Sequence, residues 1–147
     1  MSATVPQPAR KHVDLWTDGS CFPNPGPGGW AFVLVYGESS KESSGFDADT
    51  SNNRMELQAV IEGLNALTQA CDVTIYSDSQ WTLKCAKREW RRKANTDLWP
   101  LFDAAAAPHS LRWEWIKGHA GHTLNERCDQ LAAAARVAGV AAQKGVA

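Results

Sequence analysis

Four carboxylates lie in or beside apolar segments of the sequence, where an acidic side chain calls for an explanation. Asp18 lies in an alternating segment typical of a β-strand, and Asp78 ends a short apolar segment. Glu56 flanks the apolar stripe of a predicted helix, and Asp129 directly follows Cys128 on the apolar stripe of another. Taken singly, each acid has an ordinary explanation as a cap, a partner of the helix dipole or a solvated charge.

Together, the four acids suggest a metal site. Carboxylates that converge repel one another and raise each other's pKa unless a cation lies between them. Oxygen ligands without nearby His or Cys partners suit Mg²⁺ or Mn²⁺. Two such ions about 4 Å apart can activate a water molecule and stabilise the leaving oxygen of a phosphodiester. The residue types therefore indicate metal-dependent phosphodiester hydrolysis, provided that the fold brings the acids together, which their spacing alone does not decide.

Hydrophobic periodicity in this chain of 147 residues predicts a single α/β domain. Strands are predicted at residues 11–20, 30–36, 41–46, 73–76 and 111–115. Helices are predicted over residues 57–71, 81–88, 98–107 and 123–138. Short connections favour an antiparallel meander for the first three strands, whereas helices separate the last two and favour parallel pairing. We therefore expect a five-stranded mixed sheet, three strands antiparallel and two parallel, flanked by α-helices.

The element and domain boundaries follow from polar and small residues. Candidate N-caps are Thr50 to Asn53 for the first helix, Ser79 for the second, Thr96 or Asp97 for the third, and Thr123 with Glu126 as a capping box for the fourth. The segment 23–29 is expected to be a proline–glycine turn. The domain is expected to span residues 11–138, between a flexible N-terminal tail (1–10) and a frayed C-terminal tail (139–147).

Composition argues against several classes of protein. No apolar run reaches the length of about 18 residues that a membrane span needs, and the N-terminal residues lack the apolar stretch of a signal peptide. We therefore expect a cytoplasmic monomer without membrane contact. The 4 cysteines are widely spaced and lack a C-x-x-C pair, so we expect buried thiols rather than a zinc site or disulfides.

Positive charge is concentrated in residues 84–93, although the net charge of the chain is only −1. Six Lys and Arg side chains accompany a single Glu89 there, which gives a local charge of +5. Such a patch on a near-neutral protein favours one defined anionic contact. The interleaved Trp81, Trp90 and Trp99 add aromatic surface of a kind that binds nucleic-acid strands, but Trp81 and Trp99 are better explained as core residues.

Six motifs, spaced along the chain, resemble those of bacterial ribonuclease HI in content and in order. They are Thr17-Asp-Gly-Ser-Cys21, Asn24-Pro-Gly-Pro-Gly-Gly29, Asn52-Asn-Arg-Met-Glu-Leu57, Ser77-Asp-Ser-Gln80, Trp115-Ile-Lys-Gly-His-Ala-Gly-His122 and Asn125-Glu-Arg-Cys-Asp129. The match extends over residues 12–136. The resemblance implies the ribonuclease H-like fold and an endonuclease that cuts the RNA strand of RNA/DNA hybrids, leaving 5′-phosphate and 3′-hydroxyl ends.

The resemblance also implies roles for the acids. Asp18, Glu56, Asp78 and Asp129 would bind two Mg²⁺ ions, for which Mn²⁺ can substitute. Asp18 would bridge both ions, Asp78 and Asp129 would help to hold the ion that activates water, and Glu56 would hold the ion at the leaving 3′-oxygen. His119 matches a loop histidine that positions water or shuttles protons, and the flanking Gly118 and Gly121 are expected to let its loop move.

Substrate contacts are implied in the same way. Asn24, Asn52, Gln80 and the backbone around Cys21 would contact the minor groove, where the 2′-hydroxyl distinguishes RNA from DNA. Asn53 would contact the DNA strand, and Ser51 would line a DNA-phosphate pocket near Arg54. The basic candidates for substrate binding are Lys87, Arg88, Arg91, Arg92 and Lys93.

The sequence departs from the family pattern at two places and leaves two other functions open. Pro23 replaces a common glycine and removes an N–H donor, and the segment 80–98 is shorter than the basic protrusion of many bacterial members.

One alternative function is a non-catalytic module that binds RNA/DNA hybrids, against which the four intact acids argue. The other is an enzyme of the same fold that acts on DNA, such as an integrase or resolvase, against which the Asn and Gln set argues.

Overall fold

A computed structural model describes residues 10–145 of the chain. This part contains the strands β1 (Lys11–Cys21), β2 (Gly26–Tyr36), β3 (Ser39–Thr50), β4 (Cys71–Ser77) and β5 (Ser110–Trp115). It also contains the helices α1 (Asn52–Asn65), α2 (Gln80–Ala86), α3 (Trp99–Ala106) and α4 (Thr123–Lys144). The predicted order of elements along the chain is confirmed.

The strands form one mixed sheet in the spatial order β3-β2-β1-β4-β5. β2 pairs antiparallel with β1 and with β3, because short turns join these strands. β4 pairs parallel with β1 and with β5, because helices form the crossovers between them. The predicted five-stranded mixed sheet with flanking helices is therefore confirmed, and the strand that carries Asp18 lies at its centre.

The hydrophobic core lies between one face of this sheet and helices α1, α2 and α3. Leu15 and Ile75 point from the central strands into a cluster that contains Leu57 of α1 and Phe102 of α3. Side chains alternate across a strand, so Asp18 points away from this cluster, to the opposite face. The core therefore fixes the central strands and helix α1 from one side of the sheet and leaves the other side for Asp18.

Helix α4 packs on the face opposite the core, across β1, β2 and β3. Its Cys128 is fully buried, close to the backbone of Val33 and to the Asp18 carboxyl. Gly29 of β2 approaches α4 so closely that a side chain there would collide with the Ala132 carbonyl. This packing carries Asp129, the residue after Cys128, to the face of the sheet on which Asp18 lies.

Strand pairing extends two strands beyond the predicted limits. β2 begins at Gly26, inside the segment predicted to be a turn, and β3 runs from Ser39 to Thr50 instead of residues 41–46. The ladder between them reaches from the Tyr36–Ser39 pair to the Gly26–Thr50 pair. Backbone hydrogen bonds to a neighbouring strand outweigh the low strand preference of Gly, Ser and Asp. The local sequence does not report this stabilisation, because it depends on a strand elsewhere in the chain.

Helix α1 ends earlier than predicted, at Asn65 rather than near residue 71. The Ala66 N–H closes the last turn onto the carbonyls of Glu62 and Gly63, and β4 already begins at Cys71. Leu67 still packs against the core. Because Leu67 is apolar and keeps the helical spacing, the sequence pattern extends past the residue at which the helix ends.

Two of the predicted helix caps are confirmed, and two are wrong. The side chains of Ser51 and Ser79 accept the N–H groups of Arg54 and Thr82 as N-caps of α1 and α2. Helix α3 has Leu98 at its N-cap without a side-chain bond, and the Asp97 carboxylate instead pairs with Arg54 at 2.7 Å. Helix α4 starts after His122, so the predicted capping box of Thr123 and Glu126 does not form.

The C-terminal segment is more ordered than predicted. Helix α4 continues through Gly139 to Lys144 and does not fray at residue 139. A Cβ on Gly139 would collide with the Phe46 ring of β3, so this part of the helix packs against the sheet. The predicted N-terminal tail lies outside the described residues, except for Arg10. None of the helices in the part that the structure describes is long and apolar enough to cross a membrane.

Cysteines and helix tryptophans occupy the interior, as predicted. Cys21, Cys71, Cys85 and Cys128 are buried free thiols. Trp99 is 3% exposed, and its ring centroid lies 5.6 Å from that of Trp81. Trp90, in contrast, exposes 47% of its surface.

Several basic side chains of the segment 84–93 are paired with acidic side chains. Lys84 and Lys87 lie 3.2 and 3.7 Å from the Glu89 carboxylate, and Arg88 lies 3.6 Å from Asp103. Arg91 and Lys93 are exposed, and neither has a carboxylate partner within residues 10–145. The accessible unpaired charge is therefore smaller than the local sequence charge indicates.

Arg92 is committed to the interior, which corrects its prediction as a substrate-binding residue. Its side chain is 10% exposed and lies 2.9 Å from Asp103. The guanidinium donates to the backbone carbonyls of Cys85 and Ala86 at 2.9 and 3.2 Å, and it stacks 4.4 Å above the Trp99 ring. Arg92 therefore fastens the segment between α2 and α3 to the core instead of presenting its charge to a ligand.

We expect Arg92→Ala to lower the free energy of unfolding by about 2–4 kcal/mol, because two carbonyls lose a charged donor and Trp99 loses a cation–π contact. Urea denaturation measures this change. Arg91→Ala, at the exposed neighbouring position, is the matched control and should shift stability by less than about 0.5 kcal/mol. Equal effects of the two substitutions would contradict the structural role of Arg92.

Candidate active site

The site begins where the end of β1 touches the start of α1. A Cβ built on Gly19 would lie 2.5 Å from the backbone nitrogen of Glu56, so no other residue type permits this approach. The contact brings Glu56, in the second turn of α1, beside Asp18. The Gly19 N–H also donates to the Asp18 carboxylate at 2.9 Å and helps to hold it.

Parallel pairing of β1 with β4 brings in the next acid. Trp16 and Tyr76 are register partners in the two strands, and their rings stack with centroids 4.1 Å apart. Two residues further along each chain, on the same face of the sheet, stand Asp18 and Asp78. Neighbouring parallel strands therefore deliver the two carboxylates to the same end of the sheet.

Three of the four acids form a tight cluster, and the fourth lines the same cleft. One carboxylate oxygen from each of Asp18, Glu56 and Asp78 lies within 4.8 Å of the others. Asp129 of α4 forms part of the wall of this cleft, which has a volume of about 460 Å³. The structure thus places the four acids that the sequence singled out around one cavity.

Burial disfavours the ionised forms of the clustered acids. Asp18 is 5% exposed and Glu56 is 9% exposed. Burial, together with the charges of Asp78 and Asp129 and against a hydrogen bond with Glu56, raises the pKa of Asp18 to about 7. Burial and the neighbouring Asp18 charge raise the pKa of Glu56 well above its ordinary value, and burial also raises the pKa of Asp78. A positive counter-charge would relieve this penalty.

The donor set fits a divalent cation. The Oε2 atom of Glu56 is buried and has no hydrogen-bond partner among the residues that the structure describes. An orphaned carboxylate oxygen in a cluster of carboxylates is suited to a metal bond. Only oxygen ligands are present in the cluster, which favours Mg²⁺ or Mn²⁺ over metals that prefer imidazole or thiolate.

His119 lies in the loop between β5 and α4 and lines the cleft together with Gly118. Its backbone adopts a φ of 57°, a left-handed conformation that is uncommon outside glycine. The positive charge of a protonated His119 lowers the pKa of Asp78. The imidazole therefore lies within electrostatic reach of the acids, where the sequence placed it.

Asn24, Asn52 and Cys21 form one hydrogen-bonded unit near the cleft. The Asn52 side-chain oxygen accepts the Cys21 N–H at 2.8 Å, and the Asn24 side-chain oxygen accepts the Asn52 N–H at 3.1 Å. The buried Cys21 thiol donates to the carbonyl of Pro23 at 3.3 Å. Both donors of Cys21 are thus used inside the protein, and the side-chain NH₂ groups of the two asparagines are what this unit offers to a ligand.

The other substrate-binding candidates lie around the start of α1 and α2. Asn53 lines the cleft, and Gln80 is the exposed first residue of α2. Ser51 uses its hydroxyl oxygen as the N-cap of α1 at 3.2 Å from the Arg54 nitrogen. The Arg54 guanidinium is neutralised by two hydrogen bonds to Asp97, at 2.9 and 2.7 Å. The contacts of these residues with substrate stay predictions.

Asn125 is a site residue that the sequence reasoning left without a role. It lies in the first turn of α4 and is 3% exposed. Its side-chain amide interacts with the Asp78 carboxyl and lowers its pKa, against the effect of burial. One signal was present in the sequence: Asn125 precedes Asp129 by four residues, a spacing that puts both on one face of a helix.

Comparison with known proteins assigns the chain to a family. The RNase H family model matches residues 10–137. A ribonuclease H of Granulibacter bethesdensis is 49% identical, over 86% of this chain and 93% of its own length. A ribonuclease H of Aeromonas salmonicida is 50% identical, over 83% of this chain and 88% of its own length. The chain belongs to the RNase H family.

Solved structures agree with this assignment. The N-terminal RNase H domain of a Mycobacterium tuberculosis protein superposes with a TM-score of 0.80 at 25% identity, covering 92% of this chain and 99% of that domain's chain. LC9-RNase H1, a type 1 RNase H, gives a TM-score of 0.76 at 27% identity over 92% of this chain and 75% of its own. LC11-RNase H1, solved with an RNA/DNA hybrid, shares the fold with a TM-score of 0.75 at 22% identity over 87% of this chain and 99% of its own. The protein is therefore a nuclease of the ribonuclease H type, a hydrolase of phosphodiester bonds.

The raised pKa of Asp18 predicts a pH-dependent stability of the metal-free protein. Because the folded chain holds this proton more tightly than the unfolded chain, its contribution is complete below the ordinary aspartate pKa of 3.8 and is lost as pH rises through about 7. The melting temperature in EDTA should therefore fall between about pH 4 and pH 7, and saturating Mg²⁺ should restore it at the upper end.

Asp18→Asn is the control for this experiment, since it removes the titrating group while keeping the shape of the side chain. Its metal-free melting temperature should change less over the same pH range. Differential scanning calorimetry at fixed ionic strength makes the comparison. An equal fall in both proteins would show that Asp18 does not cause the pH dependence.

Proposed function

We propose that this protein is an endonuclease that hydrolyses the RNA strand of RNA/DNA hybrids with two bound Mg²⁺ ions. The carboxylate cluster of Asp18, Glu56 and Asp78 is the observation that carries the proposal. It stands in a cleft that also contains Asp129 and His119. Membership of the RNase H family supports the substrate class, and LC11-RNase H1, which has this fold, was solved with such a hybrid.

Hydrolysis at this site would break the bond between phosphorus and the 3′-oxygen. A water oxygen forms a bond to phosphorus, and the leaving 3′-oxygen takes up a proton. One fragment thus ends in a 3′-hydroxyl and the other in a 5′-phosphate. Two ions held by Asp18, Glu56, Asp78 and Asp129 would lower the pKa of the attacking water and neutralise the leaving oxygen, and Mn²⁺ can substitute for Mg²⁺.

The chain's own residues supply position and proton transfer. The four carboxylates provide ligands from strand ends and helices that the core holds rigid, which keeps the reacting groups in place. His119, on the cleft wall, carries an imidazole, whose two ring nitrogens can donate and accept a proton. We assign to it the handling of the proton during product release.

Recognition of RNA would come from the amides near the cleft. The NH₂ groups of Asn24 and Asn52, which have no partner among residues 10–145, and the exposed Gln80 would hydrogen-bond to 2′-hydroxyls, which can act as donor and acceptor. Asn53, on the cleft wall, would contact the DNA strand. Ser51 would offer its hydroxyl proton to a DNA phosphate, because only its oxygen is used by the cap.

A panel of end-labelled duplexes tests the proposed function. We expect cleavage of the RNA strand in RNA/DNA, but not of RNA/RNA or DNA/DNA, and only when Mg²⁺ or Mn²⁺ is added. Asp18→Asn should reduce the rate by at least about 100-fold, because an amide is a poor ligand for two cations, while hybrid binding largely survives.

Asp72→Asn is the matched control, because Asp72 is an exposed acid in β4, the strand that precedes Asp78. Its rate should equal that of the wild type. Hybrid binding without cleavage by the wild type would support a binding module instead. Cleavage of the DNA duplex would indicate the second alternative, an enzyme that acts on DNA.

Of the predicted basic residues, Arg91 and Lys93 are the ones left to contact substrate phosphates without rearrangement, since the Arg92 side chain is only 10% exposed and Lys87 and Arg88 have acidic partners. We expect the double substitution Arg91→Ala and Lys93→Ala to raise KM for the hybrid. It should also reduce, by about 1–2, the slope of the logarithm of the hybrid-binding constant against the logarithm of the salt concentration. Removal of two remote cations, Lys41 and Lys144, is the control. An unchanged slope in the first variant would show that its side chains face away from the substrate.

A further inference from the structure

The surroundings of Asp78 contain two residues that supply no metal ligand and yet touch or approach its carboxyl group. Asp78 directly follows the last residue of β4, so its backbone lies outside the hydrogen-bond ladder of the sheet. Its backbone carbonyl accepts the indole N–H of Trp115 at 3.2 Å. With the backbone held in this way, the remaining freedom of Asp78 is rotation of the carboxyl group.

Gly118 closes one side of the Asp78 carboxyl. A Cβ built on Gly118 would lie 2.7 Å from the Asp78 Oδ2 atom, closer than real Cβ contacts occur. The backbone of the His119 loop therefore rests directly on that oxygen. Any side chain at position 118 would have to push away either the carboxylate or the loop.

Gly118 and Gly121 serve different purposes, although both were expected to give the loop freedom to move. Gly121 has a φ of +89°, which disfavours other residues, and a Cβ there would meet nothing within 4 Å. Gly118 is not among the residues with a positive φ in the described part of the chain. Its lack of a side chain is thus required by close approach to Asp78 rather than by backbone conformation.

Asn125 is the second residue that acts on the same carboxyl. The residue is 3% exposed, and helix α4 fixes its backbone. Its Nδ2 atom is buried and has no hydrogen-bond partner in residues 10–145. A buried N–H of this kind is unfavourable unless an acceptor is close, and the Asn125 side chain favours the ionised Asp78 carboxyl, which lowers its pKa against the effect of burial.

We propose that Gly118 and Asn125 are positioning residues that together fix the Asp78 carboxylate in the orientation in which it binds a divalent ion. Gly118 sets the limit of rotation from the loop, and Asn125 provides a donor from α4. The inference rests on the proposed metal-dependent function, and it adds the requirement that the loop of His119 and the ligand Asp78 move as one unit. Partners of metal ligands typically change metal affinity by about 10–100-fold.

Metal binding in the absence of substrate tests the proposal. Isothermal titration calorimetry with Mn²⁺ alone should show about tenfold or weaker affinity for Gly118→Ala and for Asn125→Ala, relative to the wild type. Asp78→Asn defines the effect of losing the ligand itself. Ala120→Ser is the matched control, because Ala120 is an exposed residue of the same loop.

Kinetics on the same proteins separate positioning from substrate binding. At fixed Mn²⁺, Gly118→Ala and Asn125→Ala should lower kcat about tenfold or more with KM changed less than about twofold. Thermal unfolding with and without Mn²⁺ identifies misfolded protein, and the rise in melting temperature on adding Mn²⁺ should be smaller in both variants. Asn125→Leu removes the donor at similar side-chain volume and replaces Asn125→Ala if that variant does not fold.

Three outcomes would be informative in different ways. Wild-type Mn²⁺ affinity in both Gly118→Ala and Asn125→Ala would overturn the proposal. A fall in kcat for Gly118→Ala with unchanged Mn²⁺ affinity would also overturn it, because the glycine would then act through His119 alone. Failure of the wild-type protein itself to cleave the hybrid would instead contradict the proposed function, so the two failures are distinguishable.

Discussion

Crowding of like-charged carboxylates in a buried cleft is the constraint on which the rest of this structure depends. One oxygen from each of Asp18, Glu56 and Asp78 lies within 4.8 Å of the others, and burial raises the pKa of Asp18 to about 7. Such a cluster opposes folding when no cation is bound. The hydrophobic core on the opposite face of the sheet holds the strands that carry it, so the energy that maintains the site is supplied by residues that take no part in the chemistry.

Close backbone approach turns this general arrangement into a defined geometry. Gly19 lets the end of β1 touch α1, which brings Glu56 to Asp18. Gly29 lets α4 lie against β2, which brings Asp129 to the same cleft. At both positions a side chain would force two elements apart by more than the tolerance of a metal site. These glycines are therefore determinants of the site even though they contribute no ligand.

The basic side chains of the segment 84–93 have two roles: one stabilises the fold, and others are exposed at the surface. Arg92 uses its guanidinium to bind Asp103 and two backbone carbonyls and to stack on Trp99. This anchoring orders a segment that has no regular secondary structure between α2 and α3. Arg91 and Lys93, on either side of Arg92, are exposed. The contacts of Arg92 thus fix the backbone on which Arg91 and Lys93 are exposed. A short segment can in this way present positive charge to an anionic ligand.

The sequence by itself determined the strands and helices, the mixed sheet and the four acids, because alternation and helical periodicity report directly which face of an element is buried. The motifs resembling ribonuclease HI then placed those acids in one site. Only the tertiary structure decided that Arg92 packs on Trp99, that Asp97 pairs with Arg54 instead of capping α3, and that Gly118 lies against the Asp78 carboxyl. Local patterns encode relations between residues a few positions apart, whereas these contacts join residues brought together by strand register and helix packing.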